Sequence, residues 1–121
     1  MKRIVIAEDE GEYVTQIGDW LRKAGYSVVE IPKVFTPKKS PIQRVKARLA
    51  MMKTIEADLV ILGDLHVGTS RIIDELVGRG QLTITTWSNR SYFETPYVRR
   101  TATRDEFLQK VAQVLNPQPN E

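Results

Sequence analysis

Short apolar runs rich in β-branched residues alternate along this chain with stretches whose apolar residues recur at helical spacing. These runs predict buried strands, the last of them weak, at residues 3–7, 27–31, 58–62, 82–86 and 97–100. Strands that alternate with helices form parallel sheets, because each crossover helix returns the chain to the same edge of the sheet. The pattern therefore predicts an α/β fold with a doubly wound, five-stranded parallel sheet of order 2-1-3-4-5.

Capping residues mark two helix starts. Ser40 with Gln43, and Thr103 with Glu106, match the capping-box pattern. The helix after Ser40 is predicted to bury an apolar stripe of Ile42, Val45, Leu49, Met52 and Ile55. The strand residues expected in the core are Val5, Val29, Val60, Ile61 and Ile84. Only residues 87–96 separate the last two strands, whereas a parallel crossover needs about a dozen residues or more, so the fourth helix is expected to be shortened or missing.

The length of 121 residues and an apolar content of 41% suit one folded domain, expected at residues 1–116 with a polar tail at 117–121. The absence of cysteine excludes disulfides and thiolate metal sites. The first apolar run is far too short for a signal peptide or a membrane span. We therefore expect a cytoplasmic protein.

Charge is distributed unevenly, although the formal net charge is only +3. Residues 8–12 contain four acids, while residues 33–53 contain seven lysines and arginines and no acid. The basic stretch could contact nucleic acid, an acidic partner or anionic lipid. Because its cations interleave with the apolar stripe, a solvated face of a surface helix is the preferred interpretation.

Polar residues follow the predicted strands, at the sheet edge where parallel α/β folds bind their ligands. The residues at these carboxyl ends are Glu8, Asp9, Gly63, Asp64, Thr85, Thr86, Arg100 and Thr101. Without further information, the acids after the first strand would simply favour the positive end of a helix dipole.

Three segments resemble the receiver domains of two-component response regulators. The opening IVIAEDEGEYVTQIGDWLRKAGYSVVE is similar to a receiver start, with a strand, an acidic pair and an amphipathic helix. ADLVIL at residues 57–62 resembles the approach to the phosphoacceptor, and YVRRT at 97–101 resembles the last strand. The resemblance implies a flavodoxin-like fold and a role in signal transduction within a phosphorelay.

The resemblance also implies site residues. Glu8 and Asp9 would bind Mg²⁺, weakly, and Asp64 is the candidate phosphoacceptor. Thr86, or Thr85, would donate a hydrogen bond to a phosphoryl oxygen, and Arg100 would stand in place of the usual lysine. The implied partner is a histidine kinase or another signalling protein, without direct nucleic-acid contact.

The sequence departs from the receiver pattern at the same site. Gly63 aligns with the phosphoacceptor and Asp64 comes one residue later, so its side chain would point to the other face unless a bulge corrects it. Arg100 does not replace a lysine neutrally, and Thr101 stands where a proline usually follows. These departures favour a pseudo-receiver, a binding module that keeps the fold without the phosphorylation switch.

Two alternatives stay open. One is a working, Mg²⁺-dependent phosphoacceptor at Asp64, whose self-phosphorylation would be the only enzymatic activity expected. The other is a flavodoxin-like binder of a small ligand or nucleotide. That alternative ranks last, because only Gly11 stands among the acids where a glycine-rich phosphate loop would be needed.

Overall fold

Parallel strands and helices alternate along the chain in the computed structural model, which describes residues 1–31, 40–63, 69–86 and 95–117. The elements in these ranges are β1 (Arg3–Ala7), α1 (Gly11–Lys23), β2 (Ser27–Ile31), α2 (Pro41–Lys53), β3 (Leu59–Leu62), α3 (Thr69–Gly78), β4 (Thr83–Thr85) and α4 (Arg104–Leu115). The predicted α/β alternation is thus confirmed. None of the described helices is long and apolar enough to cross a membrane.

The sheet has the strand order β2-β1-β3-β4, with all neighbours parallel. The predicted order is confirmed for these strands, and the predicted fifth strand is reduced to one parallel bridge between Thr85 and Tyr97. The Thr85 N–H donates to the Pro96 carbonyl at 2.9 Å, and the Val98 N–H donates to the Thr85 carbonyl at 3.0 Å. The chain then turns at Arg100 and Thr101, before α4.

The predicted shortening or loss of the fourth helix concerns residues 87–96. Residues 87–94 of this segment lie outside the described residues, as does Asp64.

Side-chain alternation along the strands builds two apolar layers, one on each face of the sheet. Ile4, Ile6, Leu59, Ile61 and Ile84 pack against α1 and α4. Val5, Ala7, Val60 and Leu62 pack with residues of α2 and α3. Of the expected core residues only Val29 differs, being partly exposed, because β2 has a single strand neighbour within the described sheet.

The two predicted capping boxes are both formed. The Ser40 N–H donates to Gln43 Oε1 at 2.9 Å, and the Gln43 N–H donates to Ser40 Oγ at 3.3 Å. Thr103 and Glu106 make the same reciprocal pair at the start of α4. Gly25, with φ +97°, ends α1 in a conformation that favours glycine.

The buried stripe of α2 differs from the predicted one in a way that matters for the site. Ile42 was expected on the stripe but is 57% exposed. The buried positions include Val45, Arg48, Leu49 and Met52. An arginine therefore occupies the inner face of the helix that the sequence pattern assigned to apolar residues.

Candidate functional site

The carboxyl ends of β1, β3 and β4 lie side by side, since Ala7 pairs with Leu62 and Leu62 pairs with Thr85. Glu8, Gly63 and Thr86 follow directly. Extending the strand alternation by one residue places these three on the α1 and α4 side of the sheet, with Asp9 on the α2 side. The contacts of Glu8 and Asp9 agree with this separation.

Glu8 is a buried carboxylate with two partners. Its side chain is 2% exposed, and Oε1 lies 2.6 Å from Nη2 of Arg100, an ion pair by distance that lacks hydrogen-bond alignment. Its Oε2 accepts a hydrogen bond from the Glu10 N–H at 3.0 Å. The side chain is therefore folded back over the start of α1 and paired with an arginine from the chain that follows the bridge at Tyr97.

Gly63 leaves room for that carboxylate. A Cβ atom built on Gly63 would lie 2.5 Å from Glu8 Cδ, and closer still to Glu8 Oε1. Real Cβ atoms essentially never approach another atom within 3.0 Å. The backbone of Gly63 is fixed by a hydrogen bond from its N–H to the Ala7 carbonyl at 2.9 Å. The space that a side chain on Gly63 would need is thus filled by the Glu8 carboxylate.

Asp9 forms a second ion pair on the opposite face. Its Oδ1 contacts Nη2 of Arg48, and the two side chains are only 4% and 6% exposed. Arg48 reaches Asp9 from the buried stripe of α2. Such a pair is held away from water, so either member alone would leave an uncompensated buried charge.

Arg100 contacts three side chains at once. Besides Glu8, its Nη2 lies 2.8 Å from Glu10 Oε2. Its Cζ also lies over the Tyr13 ring, 4.7 Å from the centroid, which is cation–π geometry. The arginine side chain is 32% exposed, so this ion pair borders solvent whereas the Arg48 pair does not.

Tyr13 is buried on the inner face of α1. Burial raises the pKa of its hydroxyl to about 12, partly opposed by the positive charge of Arg100, and the Glu8 carboxylate adds to the rise. The phenol is neutral at physiological pH, as it would be at its ordinary pKa of 10.0, and its ring faces Arg100 as an uncharged π surface.

Thr86 directly follows β4 and is 1% exposed. Its N–H donates to the Leu62 carbonyl at 3.1 Å, while its Oγ1 has no hydrogen-bond partner among the described residues. The hydroxyl of the neighbouring Thr85 has a partner, since it donates to the Pro96 carbonyl at 3.5 Å. Thr101 is exposed in the turn that precedes α4.

The fold of this chain is similar to that of several solved structures. No model of a known protein family and no curated protein matches the sequence. A chain in the crystal structure of the histidine kinase ThkA in complex with the response regulator TrrA matches with a TM-score of 0.72 and 20% identity, over 96% of this chain and 100% of that one. A CheY-like receiver domain from Methanospirillum hungatei gives a TM-score of 0.70 and 13% identity, over 96% and 94% of the two chains. The chain has the receiver fold.

A third match is TrrA from Thermotoga maritima in complex with Mg²⁺-BeF, with a TM-score of 0.68 and 21% identity over 94% of this chain and 99% of that one. At such identities the comparison concerns the fold alone. Within the receiver fold, Glu8, Asp9, Thr86 and Arg100 lie at the predicted edge of the sheet, and Glu8 and Arg100 are in direct contact.

The described part of this receiver fold offers Mg²⁺ a poor set of ligands. Mg²⁺ needs hard oxygen ligands in near-octahedral geometry, and both Glu8 and Asp9 already contact guanidinium groups. The described residues contain no group of three acids or histidines arranged to hold a metal ion. The predicted roles of Glu8 and Asp9 as Mg²⁺ ligands stay predictions, and a metal ion would have to displace the arginines.

Three residues of the site were not predicted from the sequence: Arg48, Glu10 and Tyr13. Arg48 could have been noticed, because it lies three residues after Val45 and four before Met52, on the same helical face. The contact between Arg100 and Tyr13 had no signal in the sequence, since it joins residues 87 positions apart.

Proposed function

We propose that this chain is a pseudo-receiver, a non-enzymatic signalling domain that acts through contacts with another protein. In this proposal arginines take the place of Mg²⁺ beside the acidic pair, and the phosphorylation switch is lost. The observation that carries the proposal is the Glu8–Arg100 ion pair, packed against Gly63 where a phosphoacceptor carboxylate would stand.

Electrostatics support the exchange of metal for arginine. Phosphoryl transfer to a carboxylate needs a divalent cation and fixed donors, because the transferred group carries negative charge on its oxygens. On the α1 side of the sheet the carboxylates of Glu8 and Glu10 contact the guanidinium group of Arg100, and on the α2 side Asp9 contacts Arg48. The Asp9–Arg48 pair is formally neutral, and the Glu8, Glu10 and Arg100 group retains one negative charge, which leaves little attraction for a further cation and none for a phosphodonor.

The proposed partner is a histidine kinase or another signalling protein. The support is by analogy, because a structural neighbour is the complex of ThkA with the response regulator TrrA. A fold that binds such partners can keep its contact surface after the loss of its chemistry, since fold and reaction site are separable.

Incubation with acetyl phosphate and Mg²⁺, followed by intact-mass spectrometry, tests the proposal. We expect no stable phosphoryl adduct, with Asp64→Asn as a matched control of nearly equal size. An adduct on the wild-type protein that disappears in Asp64→Asn would contradict the proposal. That result would make the chain a working phosphoacceptor that uses Asp64.

A further inference from the structure

Arg100 lies outside the strands and helices of the described residues. The last sheet pairing before it is the single bridge at Tyr97, and the chain turns at Arg100 itself. Its side chain is about one-third exposed and has several rotatable bonds. A long cationic side chain at such a position loses conformational freedom when it is held in one geometry.

Tyr13 supplies a rigid surface at this point. It is buried on α1, in the apolar cluster that also contains Ile17 and Phe107. The ring is thus held by the core on one side and lies 4.7 Å from the Arg100 Cζ on the other. Because α1 follows the loop of Glu8 and Glu10, one short segment provides both the carboxylates and the aromatic face that contact Arg100.

We infer that Tyr13 is a positioning residue, which holds the Arg100 guanidinium against Glu8 and Glu10 through its aromatic face. The inference rests on the proposed function, in which Arg100 is the permanent cation of the site. It adds that this cation is positioned by α1 and not by the sheet.

A purely structural role for Tyr13 makes a different prediction. If the residue only filled the core, a large aliphatic side chain would serve almost as well, and Arg100 would keep its contacts with the two carboxylates. If the ring positions Arg100, phenylalanine will substitute for tyrosine, because it keeps the face, whereas leucine and methionine will not.

Side-chain NMR relaxation of the arginine Nε–H groups separates these roles, measured without metal or phosphodonor. Arg100→Gln assigns the Arg100 signal by its disappearance. We expect a high order parameter for Arg100 in the wild type and in Tyr13→Phe, and a clear drop in Tyr13→Leu and Tyr13→Met. The buried Arg48 serves as an internal control whose order parameter stays high in every variant that folds.

An unchanged Arg100 order parameter in Tyr13→Leu or Tyr13→Met would overturn the inference, and so would a mobile Arg100 in the wild type. Because no metal or phosphodonor is present, these outcomes do not depend on whether the domain accepts a phosphoryl group. A phosphoryl adduct in the mass measurement would defeat the proposed function while leaving the measured contact between Tyr13 and Arg100 in place.

Discussion

The carboxylate of Glu8 fills the space in which a side chain on Gly63 would lie, with Glu8 Cδ 2.5 Å from the position of a Cβ atom there. Glu8 directly follows β1 and Gly63 directly follows β3, and these two strands are paired with each other. The residue types at the two positions therefore depend on each other. A glycine at position 63 allows Glu8 to fold back toward Arg100, and any larger residue would push the carboxylate out of its ion pair. The packing of Glu8 thus explains why position 63 is occupied by glycine and not by a larger residue.

Gly63→Ala should destabilise the protein by about 1–3 kcal/mol, the usual cost of overpacking a filled site. The added methyl group would overlap the buried Glu8 carboxylate, which is held by Arg100 and by the Glu10 N–H. Urea unfolding of the wild type and the variant measures the change in the free energy of unfolding.

Two controls make the Gly63 prediction specific. Gly11→Ala introduces the same methyl group at a helix start with no atom within 4 Å, and it should be neutral or slightly stabilising. In a Glu8→Ala background the cost of Gly63→Ala should fall but not vanish, because the Cβ atom of residue 8 still lies 3.1 Å from the new methyl group. An equal cost in both backgrounds would show that Glu8 is not what the new methyl group meets.

Arg48→Met should destabilise the fold by roughly 3–5 kcal/mol, because it leaves the Asp9 carboxylate buried without its cation. Methionine keeps most of the apolar length of the side chain, so the loss reports charge rather than volume. Chemical unfolding monitored by tryptophan fluorescence gives the free energy of unfolding.

The matched control is the double variant Asp9→Asn with Arg48→Met, which removes both charges together. It should recover a large part of the stability lost in Arg48→Met alone. A double variant as unstable as the sum of the two single variants would mean that Arg48 and Asp9 are not coupled.

Most of the fold was predictable from local signals in the sequence. Strand limits such as Arg3–Ala7 and helix starts such as Ser40 depend on apolar runs and capping boxes, which act over a few residues. The fifth strand was over-predicted, since an extended sequence around Tyr97 does not specify how far pairing continues. Position on the sheet edge was also predictable for Glu8, Asp9, Thr86 and Arg100.

The chemistry of the site was less predictable, because it depends on pairings between distant residues. The contact between Asp9 and Arg48 joins positions 39 residues apart, so no local sequence pattern predicts this ion pair. In the folded protein the buried face of α2 includes Arg48 and leaves Ile42 exposed. Helical spacing from Val45 and Met52 distinguishes Arg48 from exposed neighbours such as Lys46, but it does not identify Asp9 as its partner.

Glu106 provides a pH-dependent test of the α4 cap. The pKa of the Glu106 carboxyl lies below its ordinary value of 4.5. The largest cause is a hydrogen bond from the Thr103 N–H, and the second largest is a hydrogen bond from the Thr103 hydroxyl. A carboxyl whose pKa is depressed on folding adds stability above its unfolded pKa, and this contribution is lost as the pH falls through the folded pKa. The cap should therefore weaken below about pH 4.5.

Carbon-detected NMR titration of the Glu106 carboxyl measures that pKa directly. Thr103→Ala should raise it only part of the way toward 4.5, because the backbone N–H, which is the larger cause, remains. A wild-type Glu106 that titrates at or above 4.5 would contradict the capping explanation.

Mg²⁺ titration followed by amide NMR tests most directly the claim that arginine has replaced the metal ion. The comparison is between the wild type, Arg100→Gln, which frees Glu8 and Glu10, and Arg99→Gln, which removes the same charge from an exposed neighbour paired with Glu106. The account predicts no saturable shifts at residues 8, 9 and 63 in the wild type or in Arg99→Gln at millimolar Mg²⁺. It predicts measurable shifts there in Arg100→Gln. Saturable shifts at those residues in the wild-type protein would contradict it.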